Sequence, residues 1–455
     1  MLKLRQRLRR GPSEDGFTLL EVIVAMMIFM MVSTGVLYTM MTLLMVNRDD
    51  RNRQVAANLA AQEIDLARDV NDIFDIDDHL TTYPDTTSTP PHPALNNDTF
   101  RVHRTARWVT STGAVAPCGT GTGTLRYKLV EVWVEWDGMK GGDDGGVHSE
   151  TYINPNERIN DPTLGTLIAS VTTALGEPVE NVLVTADPDT GTTLTAHTDS
   201  AGCAFFLEVP EATFDVQLTA PTGTTYVDID GVTQPRQTVT VVKATSASAP
   251  FTYDPAGTLR ATYGTSTTIV PQNLATSLVS TRDTYPTATS SPTNPRSLLV
   301  SSAWTDGFAV LAGDVEGCFA NDPALWTASG LKLDGERPDP VAADAGSIVD
   351  VTVPGGILNL TNMNTGNKYL AVKSVNVSGS GQPTCATSQV LRFNVASTAN
   401  MSVALPYGSW DIYRGSSAGF TLNSSTKISS GYTTGGTNGS ISSGTVTFDP
   451  RGVAS

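Results

Sequence analysis

The stretch GFTLLEVIVAMMIFMM, residues 16–31, sets a bilayer-like apolar run against a carboxylate, Glu21, near its start. From Val22 to Val46 the chain carries no charge for 25 residues. About 20 apolar residues suffice for a helix to cross a bilayer. The leader MLKLRQRLRRGPSEDG holds Lys3, Arg5, Arg7, Arg9 and Arg10. Positive charge beside the start of an apolar run keeps that side cytoplasmic, so the remainder faces outward. A secretory signal would have a shorter apolar core followed by a small-residue cleavage site, and the sequence shows neither. A plain anchor leaves Glu21 unexplained, because an acid at the middle of a spanning helix costs about 2.5–3.5 kcal/mol.

The residues of this stretch supply a reason. Gly16-Phe17-Thr18-Leu19-Leu20-Glu21, with its basic leader and long apolar run, resembles the processing motif of type IV prepilins and pseudopilins. The resemblance implies that a prepilin peptidase cuts between Gly16 and Phe17 and N-methylates Phe17. It also implies that Glu21 meets the N-terminal amine of a neighbouring subunit. Two opposite charges in a low dielectric satisfy each other, whereas each alone is expensive.

After the apolar run, Val55, Leu59, Leu66, Val70 and Ile73 fall on one helical face. The pattern predicts one helix from Phe17 to about Asp72, roughly 80 Å long. Asp72, Asp75, Asp77 and Asp78 crowd its end and read as a solvated acidic loop rather than a calcium site. Residues 81–97, rich in Pro and Thr, read as loop. Strands are expected at 100–109, 126–138 and 147–155. In the second, Val130, Val132, Val134 and Trp136 alternate with Leu129, Glu131, Trp133 and Glu135. One side of that sheet should lie on the helix. Trp133 reads as a core or cross-strand aromatic rather than a binding residue.

Near residue 160 the composition changes. Residues 1–160 hold 16 of the 29 Lys and Arg, and the longer remainder holds 13. The remainder is rich in Thr, Ser, Gly and Val, which favours strands and turns. Within 162–254, GEPVENVLVTA, TDSAG and CAFFLEVP resemble the carboxypeptidase regulatory-like, or transthyretin-like and Cna-B-like, sandwiches of extracellular proteins. The resemblance implies a spacer module. Residues 255–455 show further short strands and read as one or two sandwiches, the second starting at about 345. In that region LPYGSWDIYRG (405–415) reads as the last strand pair around a tight turn, and TYPTATSSPTNPR (284–296) as a loop. The expected fold class is α+β multidomain: a long transmembrane helix with a small antiparallel sheet, as in pilins, then all-β Ig-like sandwiches. The expected segments are a leader 1–16, a pilin domain 17–160 with its span at 22–46, a module 162–254, and the region 255–455.

The four cysteines form no CxxC pair, and no Cys/His spacing resembles a zinc site. Export permits disulfides. Cys318 is expected to pair with Cys385. Cys118 and Cys203 are either a bridge between modules or two buried thiols, and the reading leans to thiols. His79, His92, His103, His148 and His197 are scattered, and no GxSxG, HExxH or phosphate loop occurs. DIDG at 228–231 reads as a turn. No catalytic residue, cofactor or metal is therefore assigned, and the chain is read as a non-enzyme. The net charge of −16 argues against direct nucleic-acid binding.

The expected function is a structural, minor-pilin-like subunit of a type IV pilus-like filament. It would start as a single-pass protein of the cytoplasmic membrane and end at the cell surface. Its expected partners are prepilin peptidase, other pilin subunits and, indirectly, the assembly ATPase machinery. The alternatives are a pilus-borne adhesin for host or glycan ligands, or a pseudopilin of a secretion or DNA-uptake system.

Overall fold

A computed structural model describes residues 18–85, 91–95, 98–119, 123–139, 146–281, 284–287, 292–361, 369–394, 400–436 and 438–453. The leader, Gly16 and Phe17 lie outside the described residues. The chain forms two compact units. The first comprises Met1–Ala116 and Arg126–Arg158, and the second Pro117–Leu125 and Ile159–Ser455.

In the first unit, helix α1 runs over Leu19–Arg68. Thr18 caps it, its Oγ1 accepting from the Glu21 amide at 3.3 Å. The helix stops short of Asp72, because Asp69 caps it and Asp72 instead caps a separate 3₁₀ turn at Ile73–Asp75. The buried residues of α1 are Asn52, Ala56, Leu59, Ala60, Glu63, Ile64 and Ala67. Their spacing of three and four makes one stripe. The stripe differs from the expected one: Leu66 is 52% exposed. Three of its seven residues are alanines, and α1 packs on two of the strands described next, β2 and β5.

That sheet has the order β1-β2-β4-β5, with β3 added to β2. Its strands are β1 (His79–Tyr83), β2 (Phe100–Thr110), β3 (Val115–Ala116), β4 (Leu125–Trp136) and β5 (Val147–Ile153). Strand β1 corrects the expected loop at 81–97 over its first residues. It pairs antiparallel with β2, Thr81 opposite Val102, and ends at Tyr83, just before the first of the prolines on which the loop reading rested. Phe100, Val102, Trp108, Val130, Val132, Val134 and Trp136 are buried. The alternation in β4 thus gives one buried face and one outer face carrying Glu131, Trp133 and Glu135.

In the second unit, two sheets face each other across a shared core. One has the order β12-β10-β7-β8 and the other β13-β6-β9. Their seven strands are β6 (Gly165–Thr172), β7 (Leu183–Pro188), β8 (Leu194–His197), β9 (Cys203–Val209), β10 (Ala212–Thr219), β12 (Arg236–Val241) and β13 (Ser246–Thr252), whereas β11 (Tyr226–Val227), between β10 and β12, pairs with the strand that follows β13. Val171, Val184, Phe206, Phe214, Leu218 and Tyr253 fill the space between the sheets. The turn before β9 needs Gly202, whose φ is +74°. The Asp199 carboxylate accepts there from the amides of Ala201 and Cys203.

The chain continues through β14 (Asp254–Tyr263), β15 (Thr276–Val279), β16 (Thr284–Thr287), β17 (Arg296–Ser301), β18 (Ala309–Ala312) and β19 (Ile348–Val353). Strand β16 replaces the first four residues of the loop expected at 284–296, because it pairs with β15. Beyond it come β20 (Gly356–Thr361), β21 (Tyr369–Val375), β22 (Val390–Asn394), β23 (Asn400–Leu405) and β24 (Gly408–Gly415). Then follow β25 (Lys427–Ile428), β26 (Tyr432–Gly435), β27 (Gly439–Ser442) and β28 (Thr445–Phe448). One buried cluster runs from Leu259 through Val310, Leu358, Val403 and Trp410 to Phe448. Strand β19 pairs in parallel with β14, so chain on both sides of residue 345 shares one sheet. The expected hairpin at LPYGSWDIYRG is corrected as well. Strand β23 pairs with β20, whereas β24 pairs with β21 and β28. Pro406 and Tyr407 therefore carry the chain from one sheet to another.

Candidate functional site

The apolar part of α1 is the chain's most unusual surface. Leu20, Ile23, Met27, Phe29, Met31, Leu37 and Leu44 are among its exposed apolar side chains. Among the described residues, α1 is the one helix long and apolar enough to cross a membrane, with a mean hydropathy of 2.2. Water does not tolerate such a contiguous face on a single chain, so lipid or other helices must cover it. The run also contains hydroxyls, and α1 disposes of those on its three threonines internally. The Oγ1 atoms of Thr34, Thr39 and Thr42 donate to the carbonyls of Met30, Gly35 and Tyr38 at 2.8, 2.9 and 2.9 Å. No polar group of these side chains is then left for lipid to satisfy.

Glu21 lies in the first turn of α1, where the helix dipole favours a negative charge. It lines a shallow hollow of about 530 Å³ with Val22, Ala25, Met26 and Phe29. Within the hollow, Glu21 is the only carboxylate among apolar side chains.

Just past the apolar run, a polar clamp ties α1 to its sheet. The Arg48 guanidinium pairs with Asp98, and its Nε donates to Asp98 Oδ2 at 3.1 Å. Asn52 Nδ2 donates to the same oxygen at 2.7 Å. The Arg48 hydrogen bond holds the Asp98 carboxyl below the usual carboxylate range, although burial opposes this. Further along, Glu63 Oε1 accepts from Arg104 Nη1 at 2.9 Å. Lys128 Nζ donates to the Ile76 carbonyl at 2.8 Å and sits over the Trp108 ring. Sequence reasoning missed all of these groups. The signal that was available is a run of charged residues, Arg48 to Arg53, placed at the end of the apolar segment.

The remaining candidates are placed as follows. Cys318 is bonded to Cys385. Cys118 and Cys203, for which the sequence left a bridge and two thiols open with a lean to thiols, form a disulfide with a Cα–Cα distance of 5.3 Å. The bridge has a structural cause: Cys118, just after β3, groups with the second unit, to which β9 belongs. Asp78, in the acidic segment, accepts from the Ala106 amide and Arg107. Asp228, in DIDG, accepts from the amides of Asp230 and Val232. No group of three His, Cys, Asp or Glu side chains suited to a metal occurs among the described residues. Of the five histidines, the fold brings two together, His103 and His148, on either side of Trp133.

Comparison with known proteins matches residues 12–37 to the family described as the prokaryotic N-terminal methylation motif. A search of curated proteins finds no match. Among solved structures, the chain is similar to the Bacillus anthracis TIE protein at 12% identity and a TM-score of 0.19, covering 76% of this chain and 71% of that one. A streptococcal ancillary pilin is similar at 9% identity and a TM-score of 0.18, covering 55% and 92%. A Ca2+-stabilised adhesin with which an Antarctic bacterium binds ice is similar at 10% identity and a TM-score of 0.11, covering 81% and 98%.

Proposed function

We propose that this chain is a minor subunit of a type IV pilus-like filament, processed between Gly16 and Phe17 and assembled through α1. One observation carries the reading. The methylation motif at 12–37 lies in register with a helix whose first turn holds Glu21 and whose next 25 residues are uncharged and, Ser33 apart, exposed. In the membrane the exposed face meets lipid. In a filament it would meet the same face of other subunits, and Glu21 would neutralise a neighbour's amine. The second unit, beginning in the main at Ile159, is larger than the first. Such bulk favours a low-copy position over a shaft built from this chain alone. Within that unit we assign residues 162–254 to a carboxypeptidase regulatory-like spacer, supported by its two facing sheets and the Asp199–Gly202 turn.

Mass spectrometry of the protein in assembled filaments should find N-methylated Phe17 as the first residue. Assembled protein that still starts at Met1 would refute the reading. Glu21→Ala should leave cleavage largely intact and reduce the assembled fraction at least tenfold, measured by immunoblot of sheared filaments.

A further inference from the structure

We propose that the outer face of the first unit's sheet binds an arginine side chain on a basic segment of a protein partner, at the Glu131–Glu150 pair. The argument does not depend on the filament reading. That face carries a hollow of about 650 Å³ lined by His103, Thr105, Glu131, Trp133, His148 and Glu150. Glu131 stands directly opposite Glu150 across β4 and β5. Side chains so paired start about 4.5–5.5 Å apart at Cβ, and like charges there repel. Both residues are exposed. Neither carboxylate has an ion-pair or hydrogen-bond partner among the described residues. The nearby Arg101 is engaged elsewhere, by Glu135 at 3.4 Å and Asp137 at 3.1 Å.

The pair is walled by rings. On one side the His103, Trp133 and His148 rings stand in a stacked row, with centroids 5.1 and 5.7 Å apart. On the other side, two residues along β5, Tyr152 is 57% exposed and meets Tyr127 edge to face at 5.2 Å. Strand alternation puts His148, Glu150 and Tyr152 on one face. The floor is therefore two negative carboxylates and the flanks are aromatic.

A guanidinium fits this arrangement best. It is planar, offers a fork of donors to two carboxylates, and lays its apolar faces against rings. A lysine ammonium is a point charge and would use the carboxylates alone. A hard metal ion would need further oxygens, which the ring walls do not supply. The hollow lies on the open face of a sheet, within reach of a side chain projecting from another surface. Complementary charge at such a surface selects a basic partner.

The test uses the full chain in detergent micelles and isothermal titration with a tetra-arginine peptide. Wild type should bind it at least tenfold more tightly than E131Q/E150Q, with E131Q alone intermediate. Tetra-lysine should bind wild type at least threefold more weakly than tetra-arginine. E177Q/E180Q, which removes the same charge from the second unit, should bind as wild type does. Equal binding by wild type and E131Q/E150Q, with both folded by circular dichroism, overturns the proposal. So does an equal loss in E177Q/E180Q, which would reveal attraction to net charge alone.

Discussion

Asp98 is the acceptor on which Arg48 and Asn52 converge, and replacing it with alanine strands both donors. Hydrogen bonds to a charged group are worth about 1.5–3 kcal/mol. Asp98→Ala should therefore destabilise the first unit by about 2 kcal/mol, read from thermal unfolding of the full chain in micelles. The acid dependence follows from the depressed carboxyl. Its contribution is complete above the ordinary aspartate value of about 3.9 and is lost as pH falls through the lower folded value. Asp98→Asn should flatten that part of the acid limb. Tyr253 acts at the opposite end. Its hydroxyl donates to the Thr233 carbonyl at 2.6 Å, and burial pushes its pKa up to about 12. Stability from the neutral phenol is full below the ordinary value of about 10 and is lost as pH rises from there through about 12. Tyr253→Phe should remove this alkaline slope. At this scale Glu21 was legible, because a motif in fixed register surrounds it. Asp98, Glu63 and Lys128 were not, since their partners lie 50, 41 and 52 residues away.

Elements were legible where they are long. The apolar run gave α1, and the alternation of valines gave β4. The packed face of α1 was misread because Ala56, Ala60 and Ala67 carry the stripe, and small residues weigh little in a hydrophobic pattern. Short strands such as β8 and β20 were missed because their pairing partners, not their own residues, define them. The turn before β9 was readable from Thr198-Asp199 and Gly202, and it offers a matched comparison. A Cβ at Gly202 would fall 2.3 Å from the Val171 carbonyl oxygen, whereas one at Gly176, also at positive φ, meets nothing within 4 Å. Gly176→Ala should lose about 1 kcal/mol, the conformational penalty alone. Gly202→Ala should lose more than twice that in denaturant unfolding.

For the whole molecule, the composition change near residue 160 marked a boundary, but the path of the chain is less simple than that boundary implies. Between β3 and β4, the described residues 117–119 and 123–124 group with the second unit, although the strands on either side belong to the first. No local pattern announces such a grouping, which is why the sequence left Cys118 and Cys203 open between a bridge and two thiols, with a lean to thiols. Their disulfide closes a span of 85 residues. Chain-entropy arguments give a closure of this length about 4.6 kcal/mol. Cys118→Ser/Cys203→Ser should show a loss of that order in chemical unfolding, and the same loss should follow reduction of this bond in wild type.

The same bond bears on how the large unit could be shed. A protease that cuts once between Arg158 and Ile159 severs the main-chain route, yet Cys203 still holds the released fragment to Cys118. On a gel run without reductant the nicked protein keeps its full mass, and with reductant it separates into two pieces. Release from a cell surface would then take a proteolytic cut and a reductant together, a two-key lock on the exposed modules.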